Sequence, residues 1–512
     1  MTGRVLVGVG ILLVWIGLMG WQARREYMQP ELTRIAEATG ALDPTTHFYA
    51  VRMGGEVVGI ATSRLDTIPE GFVLEDRLNL ELTAMAQEGT ATATTTVHLS
   101  RALQMQEFTF SLSSDAGGFT ASGRVVGDSL LSVAIDAGAG TEEISFRLGE
   151  IPLSAAALPI RVAMAGELRV GRTLRLPVFD PSTVSTRVVE VEIVEEDVIL
   201  LPDSAAWDPA GGRWVGSGER EVRAWRLRES YGGITLESWI DDDGRIIRSS
   251  SAMGLSLERL PFELVEQARD ESRGRGARPS TDVIFSTAIA SNRELEDLDE
   301  SNELQFVLSG VDLAGFALDG GRQELRGDTL VVRRENWESL DPGYSLPYPR
   351  MDLAEALQPE PLIQSGDGRI VQAARVLAGR GQGARDPVRV AKRLTEGVHS
   401  SLEKEITFSL PSAVQVLDSM RGDCNEHTVL YVALARALGL PARSAVGLVY
   451  LEGSFYYHAW PEVWLGEWVA VDPTFGETPA GAAHLRFVTG GLAQQVEVAR
   501  LIGNLRIEAL SP

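Results

Sequence analysis

The chain has 512 residues, of which 44% are hydrophobic and 23% are charged, and these proportions exclude wholesale disorder and a multi-span membrane protein. At about 150 residues per domain, this length predicts roughly three domains. The 71 acidic residues outnumber the 47 basic residues and give a net charge of −24, which argues against binding to nucleic acid or to anionic lipid headgroups.

The amino-terminal segment, residues 1–30, contains a run without charged residues from about residue 5 to residue 21. A run of this length meets the lower limit of about 17 residues for a helix that crosses a bilayer. Trp21 ends the run, where a cleaved signal peptide would carry small residues. We therefore predict an uncleaved membrane anchor helix, rather than a cleaved signal or a buried core helix. The flanking positive charges nearly balance, and the default orientation makes this a single-pass membrane protein with the bulk of the chain exported.

Residues 31–268 are predicted to form an antiparallel β-rich domain. Turn-forming pairs separate strand-like segments at Gly54-Gly55, Gly127-Asp128 and Asp243-Gly244, because these residues accept the backbone angles of tight hairpins. The segment RVVEVEIV alternates with a period of two, as a sheet with one buried face requires. The sequence of this domain contains no pattern typical of a nucleophile, a metal-ligand cluster or a phosphate loop.

Residues 269–350 are predicted to contain a linker and a smaller β unit. The stretch 269–280 is charged, contains glycine and lacks bulky apolar side chains, so it indicates an exposed loop. Gly327-Asp328 then separates two strand-like segments, as a hairpin turn does. One further strand is indicated by alternating apolar residues, namely Leu304, Phe306 and Leu308.

Residues 351–512 are predicted to form an α+β domain, because the pattern here changes from strands to helices. The segment GRIVQAARVLAG places its apolar residues at helical spacing. Asp386-Pro387 begins a second helix, with proline at the first helical position. This change of pattern marks the start of the fourth region, at about residue 351.

Cys424 is the single cysteine of the chain, so an intrachain disulfide is excluded. The residues after it predict a helix that ends at Gly439 and Pro441, and Cys424 lies in the first turn of that helix. At this position the unpaired N–H groups and the helix dipole favour a thiolate, so we expect the pKa of Cys424 to be lowered. The alternative is a small, buried core cysteine.

Two residues downstream can complete a catalytic triad with Cys424. His458 follows after 458 − 424 = 34 residues, and Asp472 follows His458 after 472 − 458 = 14 residues. A nucleophilic cysteine needs a base that takes its proton and later protonates the leaving amine, and the base needs a carboxylate that orients its ring. The sequence therefore predicts Cys424 as nucleophile, His458 as base and Asp472 as the orienting acid.

The register of the hairpin that carries His458 and Asp472 decides whether the two side chains can meet. A two-residue turn at Gly466-Glu467 would place them on opposite faces of the sheet. A connection of three residues, Leu465 to Glu467, places Asp472 opposite Trp460 and diagonal to His458 on the same face. We predict this second register. It turns three residues toward the core on the other face, namely Val463, Val469 and Val471.

The segments RGDCNEHTVLYVALARALGLPAR and FYYHAWPEVWLGEWVAVDPTFG resemble the transglutaminase-like superfamily in its bacterial form. The resemblance spans about Asp386 to Glu477 and implies a papain-like arrangement, in which a helix bearing the cysteine packs against an antiparallel sheet. It implies the same roles for Cys424, His458 and Asp472, and acyl transfer from an amide through a thioester to water or an amine. The backbone N–H of Cys424 can supply one oxyanion donor, and the residue that supplies the second donor in the family has no aligned counterpart here.

The residues around the predicted triad receive structural interpretations. His427 lies three residues after Cys424, but a second pair at metal-ligand spacing is absent from the sequence, so we interpret it as a polar helix residue near the mouth of the site. Asp423 and Glu426 are interpreted as solvated acids of the first helical turn. Tryptophans at alternating strand positions favour sheet packing over a cleft wall, namely Trp460, Trp464 and Trp468. No role is assigned to the remaining histidines, which are His47, His98, His399 and His484.

The sequence as a whole thus predicts a multidomain protein with an N-terminal transmembrane helix, an antiparallel β-rich region and a C-terminal papain-like, transglutaminase-like α+β domain. The expected function is thiol chemistry on the amide of a peptide or protein substrate at the cell envelope, without a cofactor or a metal. The alternative is a non-catalytic envelope protein in which the same fold binds peptide or supports assembly.

Overall fold

The computed structural model describes residues 31–510, except 85–86, 116, 128, 167, 232–233, 252–253, 275–281, 299–300 and 408. The predicted anchor helix, residues 5–21, lies outside these described residues. Within them, no helix combines the length and the apolar character needed to cross a bilayer. The described chain is rich in β-structure and divides into regions with separate hydrophobic clusters.

One large sheet dominates the amino-terminal half of the described chain. It contains fifteen strands in the order β8-β7-β6-β5-β4-β3-β2-β1-β15-β14-β13-β12-β11-β10-β9. The strands are β1 (Thr45–Met53), β2 (Glu56–Ile68), β3 (Gly71–Ala84), β4 (Gln87–Ser100), β5 (Met105–Ser114), β6 (Gly117–Val126), β7 (Leu130–Asp136), β8 (Thr141–Arg147), β9 (Leu153–Ser154), β10 (Thr173–Asp180), β11 (Ser185–Asp208), β12 (Arg213–Tyr231), β13 (Ile234–Ile240), β14 (Ile246–Ser251) and β15 (Leu255–Leu260).

The sheet is antiparallel apart from the short pair of β9 and β10, which runs parallel. The connections between β1 and β2, between β6 and β7 and between β13 and β14 fall at the glycine-bearing pairs that the sequence indicates. Gly54, Gly55, Gly127 and Gly244 all have positive φ, which explains the choice of glycine in these turns. The prediction of an antiparallel β region is therefore confirmed.

Three helices accompany the large sheet, namely α1 (Glu31–Ala38), α2 (Leu158–Met164) and α3 (Phe262–Arg273). Helix α3 corrects the prediction of an exposed loop over 269–280, because the helix continues through Arg273. Ser272 Oγ accepts a 3.0 Å hydrogen bond from the backbone N–H of Val57, and the Arg273 guanidinium pairs with Glu81. These contacts with the sheet explain why the charged end of the segment is helical.

A smaller sheet follows helix α4 (Val283–Thr287) and strand β16 (Ile289–Ala290). Strands β17 (Glu303–Ser309), β18 (Gln323–Arg326) and β19 (Thr329–Arg333) are joined by β26 (Arg506–Ala509) in the order β18-β19-β17-β26. The predicted face is confirmed, because Leu304, Phe306 and Leu308 are buried. Strand β26 comes from the end of the chain, so this sheet crosses the boundary that the sequence pattern suggests at residue 350.

In the carboxy-terminal region three helices pack around a fourth, which in turn lies against an antiparallel sheet. The helices are α5 (Gly368–Ala378), α6 (Pro387–Ser401), α7 (Ala413–Ser419) and α8 (Cys424–Ala437), and α9 (Leu492–Gln495) follows later. Strands β22 (Ala442–Leu451), β23 (Ser454–Trp464), β24 (Trp468–Ala470) and β25 (His484–Thr489) form the sheet, with β16 at one edge. Two short strands, β20 (Glu403–Lys404) and β21 (Arg421–Gly422), pair in parallel just before α8. Helix α8 packs on β22 and β23, so the cysteine-bearing helix lies against the sheet, as expected.

The large sheet docks directly on this carboxy-terminal region. Gln415 of α7 donates a 2.7 Å hydrogen bond from Nε2 to the carbonyl oxygen of Gly118, and the buried Ser412 hydroxyl donates to the carbonyl oxygen of Ala137. Leu362 and Leu410 also pack against the hydrophobic cluster of the large sheet. The strand edge around β6 and β7 is therefore held close to the start of α8.

Candidate active site

Helix α8 begins at Cys424 because the residues on either side form a capping box. The Asp423 carboxylate accepts a 2.9 Å hydrogen bond from the backbone N–H of Asn425, and the Glu426 carboxylate accepts one of 2.9 Å from the backbone N–H of Asp423. Such reciprocal bonds satisfy N–H groups that the first helical turn leaves without partners. Cys424 therefore occupies the first position of the helix, as predicted.

The prediction that the helix terminus lowers the pKa of Cys424 is wrong. Burial raises the pKa of the thiol well above its usual value, and the negative charges of Asp423 and Glu426 raise it further. Cys424 is half-buried as a residue. A hydrogen bond from the backbone N–H of Ala459 acts in the opposite direction. The thiol is therefore neutral near pH 7 in the free protein.

Asp423 and Glu426 are not the solvated acids that the sequence suggested. Glu426 is only 3% exposed, and its carboxylate accepts hydrogen bonds from the hydroxyls of Thr407 and Ser409. Burial raises the pKa of Asp423 well above its usual value, and the charge of Glu426 adds to this effect. Asp423 consequently holds a proton more readily than an exposed aspartate does.

The hairpin of β23 and β24 has the register that we predicted. Glu462, Val463 and Trp464 pair with Ala470, Val469 and Trp468, which leaves Leu465 to Glu467 as a three-residue connection. Val463, Val469 and Val471 are fully buried in the cluster that also contains the interior of α8. The opposite face carries His458 and Asp472, so the two side chains lie on the same side of the sheet.

His458 and Asp472 are joined by a short, buried hydrogen bond of 2.7 Å between Nε2 and Oδ2. Burial favours the protonated form of Asp472, but the charge of His458 and the hydrogen bonds from His458 and His484 outweigh this and hold its pKa well below the usual value. An ionised carboxylate only accepts hydrogen bonds, so His458 Nε2 carries the proton. Nδ1 of His458 is thereby left as the basic nitrogen.

The orientation of both groups is fixed by their surroundings. The second oxygen of Asp472 accepts hydrogen bonds of 2.7 and 3.2 Å from the backbone N–H groups of Thr474 and Phe475. The His458 ring lies between two aromatic rings, with centroids 5.0 Å from Phe475 and 6.0 Å from Trp460 at interplanar angles of 20° and 23°. Rotation of the imidazole would break these contacts as well as the hydrogen bond to Asp472.

The structure adds His484 to the site, a residue to which the sequence assigned no role. Nε2 of His484 lies 2.9 Å from Oδ2 of Asp472, the same oxygen that accepts the bond from His458. His484 begins β25, which pairs with β22 and not with the strand of His458. No spacing rule within one hairpin links such a residue to the triad, so local sequence patterns could not have found it.

Among the described residues, His458, Asp472 and His484 also form a group whose ligand atoms lie within 4.8 Å of one another, the separation needed to hold a metal ion. The hydrogen bonds from the two imidazoles to the shared carboxylate account for this proximity. The half-site that Cys424 and His427 could form is not part of that group.

His427 lies in the interior and not near the mouth of the site, which corrects our interpretation. It is fully buried, and its Nδ1 donates a 2.7 Å hydrogen bond to the carbonyl oxygen of Asp423. His399 contacts the turn after Asp472, because its Nδ1 lies 3.0 Å from the carbonyl oxygen of Pro473. Both histidines therefore support the backbone around the triad.

The tryptophans of the hairpin pack against neighbouring side chains. Trp460 is fully buried, and Trp464 and Trp468 contact each other edge to face with centroids 5.6 Å apart. The guanidinium of Arg443 lies 4.1 Å above the Trp468 ring. These contacts support the structural interpretation of the three residues over the cleft wall.

Cys424 reaches the histidine strand through Ala459, the residue directly after His458. Within the described part of the chain, no hydrogen bond joins the Cys424 thiol to His458. Catalytic hydrogen bonds are often long in free enzymes and shorten only in the complex with substrate. The structure thus brings Cys424, His458 and Asp472 to one end of α8, with His458 and Asp472 already joined by a hydrogen bond.

Residues 373–473 match the model of the transglutaminase-like superfamily. The carboxy-terminal region therefore contains a transglutaminase-like domain, as the sequence resemblance implies. The matched segment includes Cys424, His458 and Asp472 and ends before His484. No curated protein matches the chain in sequence.

Several solved structures resemble parts of the chain. A candidate cysteine protease from Cytophaga hutchinsonii is 18% identical, and the match covers 41% of this chain and 83% of that chain with a TM-score of 0.28. A β-barrel-like protein of unknown function from Brucella abortus is 13% identical over 43% of this chain and 97% of that chain, with a TM-score of 0.30. The periplasmic domain of TgpA from Pseudomonas aeruginosa is 20% identical over 34% of this chain and 73% of that chain, with a TM-score of 0.23.

Proposed function

We propose that this protein is a thiol enzyme that attacks an amide of a peptide or a glutamine side chain and forms a thioester on Cys424. The observation that carries the proposal is the buried 2.7 Å hydrogen bond between His458 and Asp472, on the strand whose next residue contacts the Cys424 thiol. An imidazole oriented in this way, beside a thiol at a helix N-terminus, is the arrangement that cysteine acyl transfer requires.

The reaction begins with proton transfer from the Cys424 thiol to Nδ1 of His458. The sulfur then attacks the carbonyl carbon, and the backbone N–H of Cys424, which has no acceptor within the helix, donates to the oxyanion that develops. The protonated His458 gives its proton to the leaving amine as the C–N bond breaks. Water or a second amine, deprotonated by His458, then attacks the thioester and releases Cys424.

The raised pKa of Cys424 determines the first step of the proposed reaction. The free enzyme holds a neutral thiol rather than a preformed ion pair, so the proton must move to His458 when the substrate arrives. Asp472 supports this step, because an ionised carboxylate stabilises the imidazolium that forms. A thiol that stays neutral in the resting state is also less open to unwanted alkylation and oxidation.

The setting that we propose is the cell envelope. The uncharged run from residue 5 to residue 21 would anchor the chain, and the large sheet and the transglutaminase-like domain would lie on the exported side. The substrate is then a peptide or protein of that compartment, and the net charge of −24 gives no support for a nucleic acid partner.

A second candidate is a non-catalytic envelope protein that uses the same fold to bind peptide or to support assembly. The raised pKa of Cys424 and the lack of a hydrogen bond between its thiol and His458 in the described structure favour this alternative. Asp423 and Glu426 would then serve only the start of α8.

A chloromethyl ketone probe separates the two candidates on the full-length chain. For the enzyme we expect selective labelling of Cys424 that falls strongly in His458→Ala, while a His98→Ala control in the large sheet labels like the wild type. Slow labelling that is unchanged in His458→Ala would support the binding protein. Mass shifts of peptide libraries would then identify the reaction, since deamidation of glutamine adds about 1 Da whereas transfer adds the mass of the amine less that of the ammonia released.

A further inference from the structure

A cavity of about 300 Å³ lies between the large sheet and the transglutaminase-like domain. One wall comes from three neighbouring strands of the large sheet, through Phe119 of β6, Ile135 of β7 and Ile144 of β8. The opposite wall comes from α8 and β23 and includes Asn425 and Ala459. The cavity therefore depends on both regions of the chain.

This cavity adjoins the nucleophile. Asn425 is the residue directly after Cys424, and the backbone N–H of Ala459 is the group that hydrogen-bonds the Cys424 thiol. A substrate held in the cavity would therefore present its neighbouring carbonyl carbon to the sulfur. The shared residues make the cavity a continuation of the catalytic centre.

The lining of the cavity disfavours a charged group of the substrate. Glu360 is the single charged side chain among its described lining residues, and it pairs with Arg436 at 2.7 Å. Phe119 and Ile135 are buried apolar residues, and Ile144 packs against the same cluster. No unpaired charge is thus available in the described lining to bind an ionic group, whereas an apolar group would leave water without losing hydrogen bonds.

Direct contacts hold the two walls together. Besides the bonds of Gln415 and Ser412, the Arg421 guanidinium donates a 2.8 Å hydrogen bond to the carbonyl oxygen of Asp115, at the turn between β5 and β6. Gly138 approaches Gln415 so closely that a Cβ atom there would lie 2.7 Å from its Cγ. The large sheet is consequently positioned to form a fixed part of the substrate site.

We propose that this cavity binds an uncharged, apolar side chain of the substrate next to the amide that Cys424 attacks, so that the large sheet determines substrate specificity. This inference rests on the proposed thiol chemistry. A cavity of about 150 Å³ with an apolar lining can hold one benzene ring, so the present volume accommodates a side chain as large as that of leucine, phenylalanine or tryptophan. Burying such a side chain contributes about 1.5–3 kcal/mol, which corresponds to roughly a 10-fold to 150-fold preference over a small residue.

Two alkylating agents on the full-length chain test the proposal without a known substrate. Iodoacetamide reports the reactivity of Cys424 alone, and N-benzyl iodoacetamide adds an apolar ring. We expect the wild type to react about 10-fold or more faster with the benzyl compound at low concentration, relative to the ratio shown by free cysteine. Ile144→Asp places a charge in the cavity and should abolish this preference, which is read as the ratio of the benzyl rate to the iodoacetamide rate of the same variant. Phe146→Asp introduces the same charge on the same strand outside the cavity and should keep the preference.

The outcomes separate this inference from the proposed function. A wild-type ratio equal to that of free cysteine, or a preference that survives Ile144→Asp, would overturn the apolar subsite even if labelling depends on His458. Labelling that does not depend on His458, with a preference that Ile144→Asp removes, would leave the subsite intact and overturn the proposed chemistry. Ile144→Ser, which keeps the strand uncharged, replaces Ile144→Asp if circular dichroism shows that the latter does not fold, and it should reduce the preference.

Discussion

His484 donates a hydrogen bond of 2.9 Å to the Oδ2 atom of Asp472, the same oxygen that orients His458. The carboxylate is fully buried, and its ionised form is stabilised by both imidazoles together with two backbone N–H groups. A charge buried in this way remains ionised only while its partners are in place. In the proposed mechanism His484 is therefore a positioning residue that acts through Asp472.

Replacing His484 tests this role. His484→Phe removes the donor and should slow His458-dependent labelling of Cys424 by about 10-fold or more, because a hydrogen bond to a charged group contributes about 1.5–3 kcal/mol. His484→Gln, whose amide nitrogen can take the place of Nε2, should restore most of the rate. If the role of His484 is purely structural, both variants should show equal decreases in melting temperature and the same pH profile of labelling. That result would contradict our assignment.

Asp472→Asn tests the orienting acid. The amide cannot accept from two imidazole N–H groups in the way the carboxylate does, so we expect His458 to adopt the wrong tautomer and turnover to fall on the order of 10³–10⁴-fold. Far-ultraviolet circular dichroism should remain that of the wild type. Turnover at the wild-type level in this variant would remove Asp472 from the mechanism.

The pH dependence of labelling tests the cause of the raised Cys424 pKa. Burial comes first and the negative charge of Asp423 second, so Asp423→Asn should lower the pKa of the thiol and move the rise of labelling to lower pH. Asparagine also caps helices well, so the helix start is kept. We would measure iodoacetamide rates in the His458→Ala background, where the imidazole does not titrate, with Asp418→Asn as the exposed control. A midpoint that stays in place or moves upward would contradict the proposed cause.

Replacing Glu462 tests the ion pairs that connect the strands of the site. Its carboxylate, 1% exposed, bonds Arg486 of β25 at 3.0 Å and Arg443 of β22 at 2.6 Å. Removing one partner of a buried ion pair costs about 3–5 kcal/mol, because the other charge is left without compensation. Glu462→Gln should therefore lower the free energy of unfolding by about this amount, as measured by chemical denaturation. Glu324→Gln is the matched control, since Glu324 also bonds two arginines but is exposed, and it should unfold like the wild type.

Much of the local structure follows from patterns a few residues long. The glycine-bearing pairs predict the hairpins of the large sheet, and the alternation along β23 and β24 predicts which face carries His458 and Asp472. These predictions hold because strand pairing and helix capping depend on neighbours in the chain. The start of helix α8 at Cys424 is determined in the same way, by Asp423 and Glu426.

Other features arise where distant segments meet. Strand β26 joins a sheet begun some two hundred residues earlier, and Ser272 extends α3 by bonding to β2. The long-range contacts of Gln415 with the turn at Gly118 place the large sheet over the transglutaminase-like domain. No periodicity within one segment carries this information.

The sequence by itself predicted Cys424, His458 and Asp472 as nucleophile, base and acid, because the chemistry of each group and the two-residue repeat of a hairpin are local properties. Only the tertiary structure decided that His484 shares Asp472 and that burial raises the pKa of the Cys424 thiol. Both depend on which distant atoms surround a group, since burial and the field of nearby charges set a pKa, and those surroundings exist only once the chain is folded.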